Sequence, residues 1–310
     1  MVNKIILKLA SRNIIKISDK NFIKEKYKLK TGKELDFNNI HTFNEKMQWL
    51  KLYDKNPKYT QIVDKYEVKD YLKNKIGEEY IIRTIGIYNY FDEINFDKLP
   101  NQFVIKCTHD SGSTVICTDK NKFSIKKTKK FINKCLKKNH YFAGREWPYK
   151  NVVPRIIIEE FVKDNYEDDL HDYKFWCFNG KVKYIHVTSN RDKADGIKVD
   201  FYDLDWNKQP IVWCYPNSNL DIEKPKNYEK MKRIAEKLSE NFPFVRVDMY
   251  EVNGKVLIGE LTLYPGAGFA KFYTEKYDEI FGDMLSLPDL KLNNMYNYKK
   301  ERKNEEVEYY

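Results

Sequence analysis

The 310-residue chain has no apolar run near the ~18 residues that a membrane-spanning helix requires. It has no CxxC pair either. Five cysteines, Cys107, Cys117, Cys135, Cys177 and Cys214, stand apart and are odd in number, which argues against a disulfide framework or a zinc site and favours a reducing cytoplasm. Each lies in or beside an apolar run and reads as a small buried hydrophobe. His41, His109, His140, His171 and His186 show neither HxxH nor HExxH spacing, so a catalytic zinc is not indicated. The P-loop spacing GxxxxGK followed by Ser or Thr is absent, no Ser, Cys or His is arranged as an obvious triad, and no internal repeat is visible. The opening MVNKIILKLASRNIIKI is interrupted by Lys4, Lys8, Arg12 and Lys16, so it lacks the unbroken apolar core of a signal peptide. Residues 1–17 have two readings: a basic amphipathic helix making peripheral contact with a membrane, or a helix packed on its own domain.

What is present fits a soluble globular protein on the polar side, with 42% hydrophobic and 33% charged residues. The length allows one large domain or two to three small subdomains. A formal net charge of +10 suits anionic partners such as nucleotides, sugar phosphates, acidic polysaccharide or lipid. Lys, Asn, Ile and Tyr are abundant throughout, so the charge reads as a general bias with no single concentrated patch. The 24 tyrosines read as half-buried packing residues.

Residues 1–75 read as mainly helical. Phe43, Met47, Leu50 and Tyr53 recur at helical spacing behind Thr42, an N-cap with Glu45 three residues on. A second helix is expected through YTQIVDKYEVKDYLKNKIG, ending at Gly77. EYIIRTIGIYNYF is strand-like, SIKKTKKFINKCLKKN is a basic helix, and NYEKMKRIAEKLSENF is an amphipathic helix. DYKFWCFNGKVKYIHVTSN reads as a hairpin turning at Asn179-Gly180, and the tail past Pro288 as disordered. Early helices followed by mixed strands and helices give the α+β class.

Four stretches carry candidate chemistry. FVRVDMYEVNGKVLIGELTLYPGAG, from Phe244 to Gly268, reads as a hairpin around Asn253-Gly254. A tight two-residue turn would put Asp248 and Glu260 on opposite faces. One extra residue, placed in a three-residue loop with a glycine bulge, sets Asp248 opposite Glu260 and Arg246 opposite Thr262, over an underside of Val245, Val247, Leu261 and Leu263. Only that register sorts polar from apolar. The two carboxylates then either share a divalent cation such as Mg²⁺ or form a solvated face in which Arg246 neutralises one acid.

In FVIKCTHDSGSTVIC, Lys106 leaves a strand just before a Gly/Ser loop that lets backbone N–H groups approach phosphate, or else is a solvated lysine beside a turn. In RIIIEEFV a strand runs into Glu159 and Glu160, where backbone groups offer themselves to an adenine edge or the acids simply face water. Lys174, in Asp172-Tyr173-Lys174, is a second phosphate contact or a surface lysine. Arg145, with Glu146, Trp147 and Tyr149, forms either an anionic-sugar platform or a turn anchored by Trp147. Arg191 is a candidate for a substrate carboxylate, against an ordinary surface arginine.

The order of these elements resembles the ATP-grasp superfamily, and specifically its TupA-like family, associated with teichuronopeptide and other bacterial surface-polysaccharide synthesis. The resemblance runs over roughly residues 20–287 and includes TFNEKMQWLKLYD, Asp64-Lys65 in VDKYEVKDYL, FDEINFDKLPNQFVIKCTHDSGS, GREWPYKN, DYKFWCFNGKVKYI, FYDLDW and FPFVRVDMYEVNGKVLIGELTLYPGAGFAKF. It implies two α+β subdomains clamping ATP behind a mainly helical N-terminal region. The expected divisions are residues 1–95 (helical region with a first strand), 96–162 (lid subdomain), 163–288 (C-terminal subdomain with the metal site) and a tail, 289–310. It implies activation of a carboxylate as an acyl phosphate, then attack by an amine.

Carried over, Lys106 contacts ATP phosphates under a lid of His109, Asp110, Ser111, Gly112, Ser113 and Thr114. Glu159, Glu160 and Val162 meet the nucleotide, with Glu160 and Val162 reaching adenine through the backbone. Lys174 is a second phosphate contact, Asp248 and Glu260 hold Mg²⁺, and Arg246 steadies the acyl phosphate. Many family members carry Asn two residues after the metal-binding Glu; here it is Thr262, which leaves the coordination of a second metal open. Glu167, Asp168, Asp169 and Asp172 are the candidates for the ribose contact.

The leading expectation is thus a cytoplasmic ATP-dependent carboxylate–amine ligase, its partners a carboxylate on a small molecule or polysaccharide precursor and an amine, with no nucleic acid. Two other classes compete. Asp203-Leu204-Asp205 is a DxD, a pattern of nucleotide-sugar glycosyltransferases, though FYDLDW also reads as a turn that packs Trp206. A non-catalytic module binding acidic glycan or nucleic acid through net charge is the other.

Overall fold

The computed structural model describes residues 2–163, 171–189 and 196–289. Glu167, Asp168, Asp169, Arg191 and the tail beyond residue 289 lie outside the described residues. The helices are α1 (Val2–Ala10), α2 (Asp19–Thr31), α3 (Phe43–Tyr53), α4 (Lys58–Val63), α5 (Val68–Ile76), α6 (Ile125–Leu136), α7 (Tyr141–Gly144), α8 (Tyr228–Ser239) and α9 (Lys276–Met284). The strands are β1 (Thr84–Tyr88), β2 (Phe103–Cys107), β3 (Val115–Cys117), β4 (Ile156–Glu160), β5 (Asp172–Phe178), β6 (Lys181–Ser189), β7 (Lys198–Tyr202), β8 (Lys208–Gln209), β9 (Phe244–Val252) and β10 (Lys255–Thr262). They form two sheets, β1-β4-β2-β3 and β10-β9-β5-β6-β7-β8, with antiparallel pairing throughout. The class is α+β.

Thr42 caps α3 in a reciprocal box with Glu45, as the pattern predicts. The single helix expected over residues 59–77 is instead two. Asp64 turns its carboxylate back on the amides of Tyr66 and Glu67, at 2.8 and 3.2 Å, and the break separates α4 from α5. Arg155 pins the same aspartate at 3.0 Å. α1 packs Leu7 and Ala10 against Phe22, Ile23 and Tyr27 of α2, while Ile5 and Ile14 stay exposed. The boundary expected at residue 95 also shifts, because β1 pairs with β4 and so belongs to the small sheet.

Each sheet has one face that reaches the site. In the small sheet, Phe103, Ile105, Cys107, Ile156 and Ile158 point to Ile132 and Cys135 of α6. The alternation required by the pleat sends Val104, Lys106, Ile157 and Glu159 to the other side. In the large sheet, α8 covers the face holding Phe175 and Cys177. The opposite face is graded along its strands. Trp176, Phe178 and Phe244 meet Phe43 of α3 and Phe281 of α9 in an aromatic cluster. One residue pair further on, the same face carries Arg246, then Lys174 beside Asp248. This is why Asp248 and Arg246, polar as they are, are nearly as buried as the core.

The positive charge is concentrated, contrary to the reading of a general bias. Residues 120–145 hold nine lysines and Arg145 with no acid, equal to the whole net charge of +10. Lys126, Lys127, Lys130 and Lys134 line the exposed side of α6.

Candidate active site

The register of β9 and β10 sets the site. Asp248 pairs with Glu260 and Arg246 with Thr262, and Val245, Val247, Leu261 and Leu263 are buried beneath. The extra residue, however, is not in the loop. Asn253 and Gly254 make a tight turn, both with positive φ, and Val252 pairs directly with Lys255. The register shifts between Ile258 and Glu260, so Gly259 is the bulge. A Cβ there would meet the Tyr250 ring at 2.9 Å.

Arg246 donates to both Asp248 oxygens, at 2.7 and 2.6 Å, and to Glu260 and Thr262 at 3.3 and 3.1 Å. Lys174 lies between Asp172 and Asp248 at 2.5 Å from each. Burial alone would raise the Asp248 pKa, but Arg246 and Lys174 outweigh it and hold it below the usual carboxylate range. Burial likewise works against the Arg246 charge, and Asp248 more than restores it.

Facing this cluster, Glu159 is 5% exposed and takes Lys106 at 2.8 Å and Lys69 at 2.5 Å. Burial raises its pKa, and the two lysines bring it below normal. Lys65 donates to the carbonyls of Cys107, at 3.0 Å, and of Asp110, tying the α4–α5 turn to the Gly/Ser loop. Burial lowers the pKa of both Lys65 and Lys69. In the sequence Lys65 appeared only within a family stretch and Lys69 drew no attention, because its partner Glu159 lies far along the chain.

A cavity of about 830 Å³ lies between these faces. Lys106, Ser111, Glu159, Glu160, Val162, Asp172, Lys174, Arg246, Asp248, Glu260 and Thr262 all line it. Val68, Leu72, Ile82, Val104, Val162 and Ile258 supply the apolar part of its lining. Other candidates are placed elsewhere. His109 is buried with Nε2 at the Lys138 carbonyl, 3.0 Å away. Ser113 braces the loop, accepting from the Cys107 amide at 2.8 Å and donating to Asp110 at 2.5 Å. Gly112, at φ +93°, has open space around its α-carbon. Arg145 is 3% exposed, stacked 4.2 Å over Phe22 and paired with Asp19 at 3.2 Å; Glu146, His140 and Tyr149 beside it are what face the cavity. Asp203 accepts from the amides of Asp205 and Asn207, and Trp206 stacks on Tyr202, so the DxD is a self-satisfied turn outside the cavity.

The residues present fit a divalent cation only in company. Among the described residues no three His, Cys, Asp or Glu side chains cluster as ligands. Asp248 and Glu260 supply two hard oxygens, Thr262 a hydroxyl, and phosphate oxygens and water would have to complete the shell, as Mg²⁺ accepts. Among the described residues, seven Lys or Arg and seven Asp or Glu line the cavity, so a bound polyphosphate would add net negative charge for a cation to offset.

Two antiparallel sheets facing one cavity lined by lysines, an arginine and paired carboxylates fit an ATP-grasp enzyme, the class of ATP-dependent ligases. The family model described as TupA-like ATPgrasp matches residues 45–286, and the chain belongs to that family. No curated protein matches. Among solved structures, a D-alanine–D-alanine ligase from Bacillus anthracis is similar at 17% identity and TM-score 0.41, covering 77% of this chain and 69% of that one. An L-amino acid ligase from Bacillus licheniformis is similar at 10% identity and TM-score 0.44, over 73% of this chain and 49% of that one. Phosphoribosylamine–glycine ligase from Thermotoga maritima follows at 15% identity and TM-score 0.37, over 68% and 51%. Among the described residues no helix is long and apolar enough to cross a membrane.

Proposed function

We propose that the chain joins a carboxylate to an amine through an acyl phosphate made from ATP, and that the carboxylate belongs to a uronic-acid-containing surface polysaccharide or its precursor. The observation that carries the ligase reading is the convergence of Lys106, Lys174 and Arg246 with the Asp248–Glu260 pair on facing sheets around one cavity. Adenine occupies the apolar section, with backbone groups of Glu160 and Val162 at its edge. Lys106 and Lys174 bind phosphates, and Ser111 at the Gly/Ser loop covers them. Asp248 and Glu260, with Thr262, hold Mg²⁺, which offsets charge on the transferring phosphoryl group. Arg246 is positioned to stabilise charge on the acyl phosphate. The Gly/Ser lid, residues 109–114, excludes water from that labile group. The acidic-polymer part of the reading is supported by the lysine ridge of α6 on the lid subdomain, since an anionic chain is drawn to such a surface. ATP use and the free cysteines fit a cytoplasmic location.

Calorimetry of ATP–Mg²⁺ binding tests the site, with Lys106→Ala and Asp248→Asn beside the wild type. Binding that is weakened tenfold or more in both variants is the expected outcome, since each loses a charge-assisted contact worth about 1.5–3 kcal/mol. ADP release on adding uronic acids with amines then tests the reaction. A folded wild type that ignores ATP overturns the reading.

A further inference from the structure

At the end of the cavity away from the apolar section sits a carboxylate with no assigned task. Glu146 is 7% exposed, lines the cavity, and has His140 Nε2 at 3.6 Å, too far for a hydrogen bond, with Lys26 and Lys51 close enough to act on it electrostatically. With its oxygens open to the cavity and no hydrogen bond from a described residue, the carboxylate can accept one from something that arrives. The cations nearby are already engaged. Lys26 donates to the Ala143 carbonyl at 2.5 Å, and Lys51 to the carbonyls of Gly144 and Ala267 at 2.8 Å each. Those bonds fix the backbone just before Glu146, and both ammonium groups also feel its charge. Tyr149 and Tyr264 line the same end of the cavity.

We infer that this compartment is the subsite for the primary ammonium group of the amine substrate, with Glu146 as its counter-ion, His140 beside it and the Tyr149 and Tyr264 rings as its walls. The inference rests on the ligase reading. A carboxylate flanked by aromatic rings is suited to an organic cation, through the ion pair and the attraction of a cation to a ring face. A metal ion is disfavoured, because one carboxylate and one imidazole leave most of its shell unfilled. The position also suits the chemistry. Tyr149 lines the cavity together with Glu146 and with Glu260 of the carboxylate pair proposed for the metal, so the ammonium compartment and that pair open on one cavity. An amine held at Glu146 thus shares the cavity in which the acyl phosphate forms, and it becomes a nucleophile on giving its extra proton to the Glu146 carboxylate.

Saturation-transfer NMR on the full chain, saturated with ATP and Mg²⁺, tests this with ethanolammonium as probe and ethylene glycol as its neutral counterpart. The wild type should give a signal for ethanolammonium alone. Glu146→Gln should weaken it by about tenfold or more, the loss of one charged hydrogen bond, while ATP affinity stays unchanged. Glu146→Asp, which keeps the charge, should retain part of the signal even if the glutamine variant is less stable. Ethanolammonium binding that survives Glu146→Gln, or its absence from a wild type that binds ATP, overturns this inference and leaves the ligase reading standing. A wild type that binds neither overturns both.

Discussion

Replacing Asp248 by Asn removes one charge and almost no volume from a side chain that is 1% exposed. Arg246 and Lys174 both lean on that charge, through contacts of 2.6–2.7 Å and 2.5 Å. Lys174 keeps Asp172, but among the described residues Arg246 keeps as ion-pair partner only the half-exposed Glu260 at 3.3 Å, beside the Thr262 hydroxyl at 3.1 Å. An uncompensated buried cation costs about 3–5 kcal/mol, so the nucleotide-free protein should lose that much stability, roughly 5–10 °C in Tm. If the cost is stranded charge, it should disappear when the stranded partner goes too. Arg246→Met with Asp248→Asn should therefore be no less stable than Asp248→Asn alone, with a coupling of at least about 2 kcal/mol between the sites. Urea denaturation followed by tryptophan fluorescence reads this directly, since Trp176 sits opposite Arg246 in the sheet. An Asp248→Asn protein within about 1 kcal/mol of wild type, or strict additivity in the pair, would refute the view that the carboxylate is held by its two cations. The sign with pH is fixed as well. The folded Asp248 pKa is depressed, so its contribution is complete above the normal aspartate range and is lost as pH falls through the folded value.

Lys26 has its pKa lowered by burial from 10.5 to about 8, so between those values the unfolded chain binds the extra proton. Stability should rise with pH across that window, by at most about 3 kcal/mol, and Lys26→Met should remove that part of the rise in urea midpoints at pH 8 and 10. Gly282→Ala would place a methyl 2.1 Å from the His41 carbonyl and 2.9 Å from Thr42, where α9 abuts the start of α3; a loss of about 3 kcal/mol should appear in the same assay. Thr42→Ala should cost about 1 kcal/mol through the lost capping box, without changing ATP affinity.

How far the site could be read in advance follows from how each residue acquires its position. Asp248, Glu260, Arg246 and Thr262 were legible because a strand pleat has period two and only one register separates polar from apolar. The location of the extra residue was not legible: a loop bulge and an in-strand bulge at Gly259 give the same register at the polar end, and only packing against Tyr250 distinguishes them. The break at Asp64 was hidden because VDKYEVKDYL keeps helical spacing on both sides, and the Arg155 that fixes the aspartate comes 91 residues later. Lys69 was missed, and Glu146 was read only as a companion of Arg145, for the same reason. A surface lysine and a buried strut look alike in one dimension, and what separates them is a partner supplied by another element: Glu159 for Lys69, Phe22 and Asp19 for Arg145. Arg145 shows the point most sharply. Its left-handed backbone, φ +56°, turns the guanidinium into the α2 helix and leaves the next residue, Glu146, facing the cavity. The sequence places arginine and glutamate side by side as one charged pair; the fold sends one to hold the helical region and the other to meet the ligand.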